Sequence, residues 1–153
     1  MSTRKKMNPQ IVFTRLAGEF NFDYQLFRET ETLNGRIQSN NHLMLDKKVL
    51  FSFYFAINSH HDHQFWSARS VMTFNNKDQR FERLWVDIGK KGCQSLYFGQ
   101  LIDNKLVFYP AKGRETIQDN SKITYDFSDL KKISIIKETL GINGKAEKIT
   151  ATF

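Results

Sequence analysis

The chain reads as all-β: an up-and-down antiparallel β-barrel with a short N-terminal helix capping one end. Two observations predict this. Over residues 66–109, four alternating apolar and polar runs (WSARSVMTF, FERLWVDI, SLYFGQL and KLVFY) are separated by short polar turns, the signature of consecutive antiparallel strands. The composition agrees, since fourteen Phe, five Tyr and two Trp favour strands, while two Pro and the lack of a long Gly/Ser tract argue against linkers. At 153 residues the chain suits one domain able to bury a core or wrap a cavity. The reading divides it into a basic tail, 1–8, and a single barrel domain, 9–153.

The elements follow in order. Asn8 is placed to cap, and Pro9 to occupy the first turn of, a helix through Ile11, Val12, Phe13 and Leu16, with Gly18 as its stop. Its apolar face needs a cover, which the end of a barrel supplies. From Glu19 the period becomes two: Phe20, Phe22, Tyr24 and Leu26 share a face, and the polar run 28–31 ends the strand. Asn34-Gly35 is read as the next turn, leading to a strand over 36–45. After Asp46-Lys47-Lys48, residues 49–57 set Phe51, Phe53 and Phe55 opposite Ser52, Tyr54 and Ala56, a strand expected to be buried on both faces. A polar break at 58–63 precedes the four-strand stretch. Beyond Pro110, the polar segment 111–120 reads as a lid or long connection. Ile123, Tyr125 and Phe127 then share a face, 128–130 turns the chain, and 131–139 forms a strand. Asn143-Gly144 makes a hairpin before Ile149, Ala151 and Phe153 complete the last strand. The count is nine or ten strands, which suits a small barrel.

Lys and Arg outnumber the acids 23 to 16, a formal +7, which raises nucleic acid, an anionic membrane or an acidic ligand as partners. The lysine doublets 5–6, 47–48, 90–91 and 131–132 lie at the amino terminus or beside turns, where a solvated surface accounts for them better than a nucleic-acid stripe. No apolar run approaches the ~20 residues of a membrane span. The single cysteine, Cys93, has no internal disulfide partner, and the charged start lacks a signal-peptide core, so a cytoplasmic protein is expected. A homodimer is compatible with the sequence.

Several short motifs carry a resemblance: Leu16-Ala17-Gly18-Glu19-Phe20 at the first strand, Trp85-Val86-Asp87-Ile88-Gly89, Phe98-Gly99, and the Gly-containing closing hairpin 141–153. In these motifs and in its order of elements the chain resembles the calycin group of lipocalin-like and fatty-acid-binding-like barrels, and more particularly the uncharacterised bacterial lipocalin-like domains. The resemblance spans nearly the whole chain and implies the barrel fold. The Gly-x-Trp-x-Gly-x-Gly entry of haem-binding nitrobindin-like barrels is missing and Phe20 stands where many relatives have Trp, so haem is not implied. Such barrels host many ligands and some isomerases or lyases, and the fold alone does not choose among them.

Strand alternation sorts the central stretch into faces. Trp66, Ala68, Ser70, Met72 and Phe74 share one, with Ser67, Arg69, Val71 and Thr73 opposite; next, Phe81, Arg83, Trp85 and Asp87 oppose Glu82, Leu84, Val86 and Ile88. An inward Arg83 would be a buried cation needing an anion, either Asp87 or the head group of a ligand. Ser95 and Tyr97 add hydroxyls. The expected function is therefore binding of a small hydrophobic, possibly anionic, ligand in an aromatic-lined lumen, with Arg83, Trp85, Tyr97, Arg69, Trp66, Phe53 and Tyr24 as ligand-binding residues. The alternatives are an isomerase- or lyase-type enzyme using the same lumen, with Asp87, Glu82, His42 and Tyr97 as available acid/base groups, or a basic-surface nucleic-acid or protein interaction module. No catalytic residues are assigned, because no phosphate loop or nucleophile elbow is present. His60, His61 and His63 invite a metal, yet three histidines in a polar turn read as a solvated loop, and neither a metal nor another cofactor is expected.

Overall fold

The computed structural model describes residues 6–27, 30, 32–58, 67–88, 93–111, 121–140 and 146–152. These form a helix, α1 (Pro9–Leu16), and ten strands: β1 (Gly18–Phe27), β2 (Thr32–Met44), β3 (Val49–Asn58), β4 (Ser67–Asn75), β5 (Arg80–Asp87), β6 (Cys93–Ile102), β7 (Lys105–Pro110), β8 (Ser121–Asp126), β9 (Ser134–Leu140) and β10 (Ala146–Thr152). Each strand pairs antiparallel with its sequence neighbours, and β1 pairs with β10 from Tyr24↔Ala151 to Phe27↔Lys148, so the sheet closes. Closure removes the unpaired edges that an open meander exposes.

Helix α1 plugs one end. Asn8 accepts a hydrogen bond from the Ile11 amide (2.9 Å) and Pro9 occupies the first turn. Val12, Phe13 and Leu16 are buried, and the Phe13 ring meets Phe81 of β5 edge to face at 5.8 Å. Two polar clamps fix the helix: Asn41 Nδ2 donates to the Leu16 carbonyl (2.7 Å), and Arg15 donates to the carbonyls of Phe127 (2.8 Å) and Asp129 (2.7 Å). The Arg15 guanidinium also stacks over the Phe127 ring at 5.3 Å.

The two barrel ends differ. At the helix end the connections are the turns 45–48, 76–79 and 103–104 and the segment 127–133 held by Arg15. At the far end the described strands stop at Phe27 and Thr32, Asn58 and Ser67, Asp87 and Cys93, Pro110 and Ser121, and Leu140 and Ala146. Apart from Asn58 and Ala111, the polar break at 58–63 with its histidines, the expected lid at 111–120 and the Asn143-Gly144 turn lie outside the described residues.

Three sequence expectations change. Asn34-Gly35 is not a turn: both residues sit inside β2, paired with Gln25 and Tyr24 of β1. The glycine is required for space, because a Cβ on Gly35 would overlap the Tyr24 ring. The strand expected over 131–139 begins at Ser134, since Ile133 is buried and Arg15 holds the carbonyls before it. Strand β3 is buried on one face only: Leu50, Ser52 and Tyr54 point inward, while Phe55 is 49% exposed. Outward aromatics are instead covered by cross-strand cations, as where Arg80 lies 3.7 Å from the Phe98 ring.

Candidate functional site in the barrel interior

The period of two and the strand register assign the inner wall. Buried positions recur as Leu50, Ser52 and Tyr54 on β3, Ala68, Ser70 and Met72 on β4, Phe81 and Arg83 on β5, Tyr97 on β6, Leu106 and Phe108 on β7, and Ile123 and Tyr125 on β8. The wall is uneven. On β2 to β4 it carries small or hydroxyl-bearing residues, among them Gly35, Ser39, Ser52, Ala68 and Ser70, whereas β5 to β8 carry the large ones.

The lower interior, next to α1, is filled with apolar side chains. Phe74 and Phe81 meet at 5.0 Å, Phe108 and Tyr125 at 6.0 Å, and Tyr125 stacks on Phe127 at 6.4 Å. Phe108 leans so closely across Gly99 that an added Cβ there would come within 2.6 Å of its ring. Above this layer stands Arg83, 3% exposed. Its Nη1 donates to the Tyr125 hydroxyl at 2.8 Å, and the guanidinium lies 4.8 Å from the Trp85 ring centre and 5.7 Å from those of Phe108 and Tyr125. Its Nε, also buried, has no hydrogen-bond partner among the described residues. Arg83 takes part in no ion pair among those residues either.

Tyr125 is in turn hydrogen-bonded to Tyr54. Strands β3 and β8 lie opposite each other in the ring, with four strands between them in either direction. The Tyr54–Tyr125–Arg83 chain is therefore a brace across the barrel, dividing the apolar plug from the half that faces the far rim. Trp85 lies over the same level, its ring 5.0 Å from that of Tyr54. The two rings meet above Ala68 and Ser70 of β4, which are small enough to admit them.

The electrostatics of the brace are those of a fixed charge among neutral phenols. Desolvation opposes the Arg83 charge, but the nearby phenol oxygens of Tyr125, Tyr54 and Tyr97 and the hydrogen bond to Tyr125 favour it, and the pKa lies above its ordinary value. Burial pushes the Tyr125 phenol up, against the opposing field of Arg83, so it stays protonated. Arg83 is a permanent cation at any physiological pH.

The structure brings together four of the seven expected ligand-binding residues. Arg83, Trp85 and Tyr97 face inward, Tyr97 being 2% exposed and the register partner of Arg83. Tyr24 is half-buried on the inner face of β1, its ring over Gly35. Phe53 and Arg69 do not face the interior. They are cross-strand partners on the outer wall, with the guanidinium 5.2 Å from the ring, because the alternation that turns Tyr54 and Ala68 inward turns them outward. Trp66 lies outside the described residues.

Among the acid/base groups considered, Glu82 is on the outer wall in an ion pair with Arg80 (3.1 Å), and His42 is exposed. Asp87 and Tyr97 stay on the inner face. Tyr54, Tyr125 and Phe108 are site residues that sequence reasoning missed. The signal for Tyr125 was its place in the Ile123-Tyr125-Phe127 face, and for Tyr54 its position opposite the Phe51-Phe53-Phe55 row. Among the described residues, no cluster of His, Cys, Asp or Glu is placed to hold a metal, and no helix is long and apolar enough to cross a membrane.

Compared with known proteins, the chain matches no family model and no curated sequence.

Proposed function

We propose that the barrel binds a small, largely apolar molecule in its far half, with the molecule's polar or acidic end on Arg83. The observation that carries this reading is the buried guanidinium whose Nε lacks a partner among the described residues. Leaving a buried donor unsatisfied costs about 1–3 kcal/mol, more for a charged group, and a ligand acceptor offsets that cost. Trp85, Tyr54, Tyr97 and Tyr24 supply the aromatic walls that hold an apolar body. The closed up-and-down sheet with its helical plug supports placing the chain among lipocalin-like barrels, which carry cargo inside the sheet.

Native mass spectrometry of the protein purified from its own host tests the proposal. The expected spectrum holds a species heavier than the 18.0 kDa chain by a small-molecule mass, which organic extraction removes. A spectrum of bare chain under conditions that preserve non-covalent complexes would count against it.

A further inference from the structure

Charge, depth and shape restrict what Arg83 can hold, given that the interior binds a ligand as proposed. Arg83 carries one permanent positive charge, and its neighbours at the brace are neutral phenols and aromatic rings. Asp87 and Lys137 also lie on the inward side, nearer the far rim, and their charges are of opposite sign. At the brace itself the charge is that of one guanidinium, which a monoanion matches and a dianion overshoots. With Nη1 given to Tyr125, the Nε side of the guanidinium remains, the side that pairs edge-on with a planar carboxylate.

Depth sets the size. Below the brace the space is taken by Phe81, Phe108, Phe127 and the helix side chains. Above it the strands run only from Arg83 to Asp87 on β5, from Tyr54 to Asn58 on β3, and from Tyr125 back to Ser121 on β8. At ~3.3 Å per residue and a strand tilt near ~40°, that is roughly 10 Å along the barrel axis. A ring system fits such a length; an extended long acyl chain does not. The wall has the same bias, since Trp85 and Tyr54, in contact at 5.0 Å, join into one aromatic surface on that side of the interior.

We infer that the ligand is a compact, flat monocarboxylic acid of one or two fused rings, bound with its carboxylate on Arg83 and its body toward the far rim. The acid enters head first, because α1 closes the other end.

Calorimetric titration of the full chain with four probes tests this: 2-naphthoate, its neutral amide 2-naphthamide, 2-naphthyl phosphate, and palmitate. A charge-assisted contact of about 1.5–3 kcal/mol corresponds to a preference of roughly ten-fold or more. 2-Naphthoate is expected to bind at least that much more tightly than each of the others, and Arg83→Met to abolish its advantage over the amide. Equal binding of acid and amide would overturn the carboxylate assignment, tighter binding of the phosphate would overturn the single charge, and tighter binding of palmitate would overturn the compact size. In those three cases the interior still binds ligands. If none of the four binds at millimolar concentration, the interior-binding proposal itself falls. Should Arg83→Met fail to fold, the comparison of probes on the unaltered chain decides.

Discussion

A buried guanidinium is costly to keep. Removing a charged side chain from water costs several kcal/mol, and an acid in the fold usually offsets that cost. Arg83 has a phenol, three aromatic rings and no ion pair among the described residues. Replacing it with methionine, of similar length and apolar, is therefore expected to leave the unfolding free energy unchanged or raise it by about 1–3 kcal/mol. Tyr125 keeps its hydrogen bond to Tyr54 in that variant. Urea unfolding of the two proteins makes the comparison, and a loss above about 2 kcal/mol would identify Arg83 as a structural residue with an acid partner in the fold. The sequence showed that Arg83 shares a face with Phe81, Trp85 and Asp87, but not which way the face points. Direction came from Tyr125, more than forty positions away, which sequence spacing cannot relate to Arg83.

The element that most resists inspection of the sequence is the segment 127–133. Its end residues Phe127 and Ile133 are buried, Leu130 between them is exposed, and Asp126, Arg15 and Asp129 hold the backbone. Arg15 bonds to three carbonyls there from a helix more than a hundred residues away, so no local pattern announces the contact. Arg15→Ala is expected to cost about 1–2 kcal/mol in thermal or urea unfolding, at the lower end of the range for charged hydrogen bonds because the contact is half-exposed. Asp126 gives the segment an acid sensitivity. Its carboxylate accepts from the side chain and the backbone amide of Ser128, which together hold its pKa below the usual range. The corresponding stability is fully present above pH ~4, the ordinary aspartate value, and is lost as pH falls through the lowered pKa. Asp126→Asn does not titrate, so its stability is expected to fall less steeply with pH below ~4 in acid-unfolding curves; identical slopes would remove the assignment. Element boundaries elsewhere follow local chemistry, and the misread one shows why they sometimes do not. Asn34-Gly35 has the composition of a turn, yet Tyr24 of the neighbouring strand demands the missing side chain.

At the scale of the molecule, the strand order was legible because every connection is a hairpin and each strand repeats the same alternation. The layering of the interior, with a filled apolar end beneath the Arg83 brace, was not, because it depends on which residues meet across the ring. Phe53 and Arg69 illustrate the limit, since aromatic and cationic residues serve equally well as a cross-strand pair on the outer wall. What the closed sheet adds is a fixed depth. It places one buried cation beside aromatic rings, held by a brace that spans opposite strands. The Arg83 Nε–H is buried without a partner among the described residues, and the proposed ligand supplies its acceptor. Nitrogen-15 NMR of the arginine side chains observes that proton directly. An Nε–H resonance that disappears in Arg83→Met should be protected from solvent exchange in the free protein, and should move downfield on addition of 2-naphthoate but not of 2-naphthamide. An Arg83 Nε–H that exchanges as fast as those of surface arginines, or that ignores the acid at saturation, would contradict that assignment.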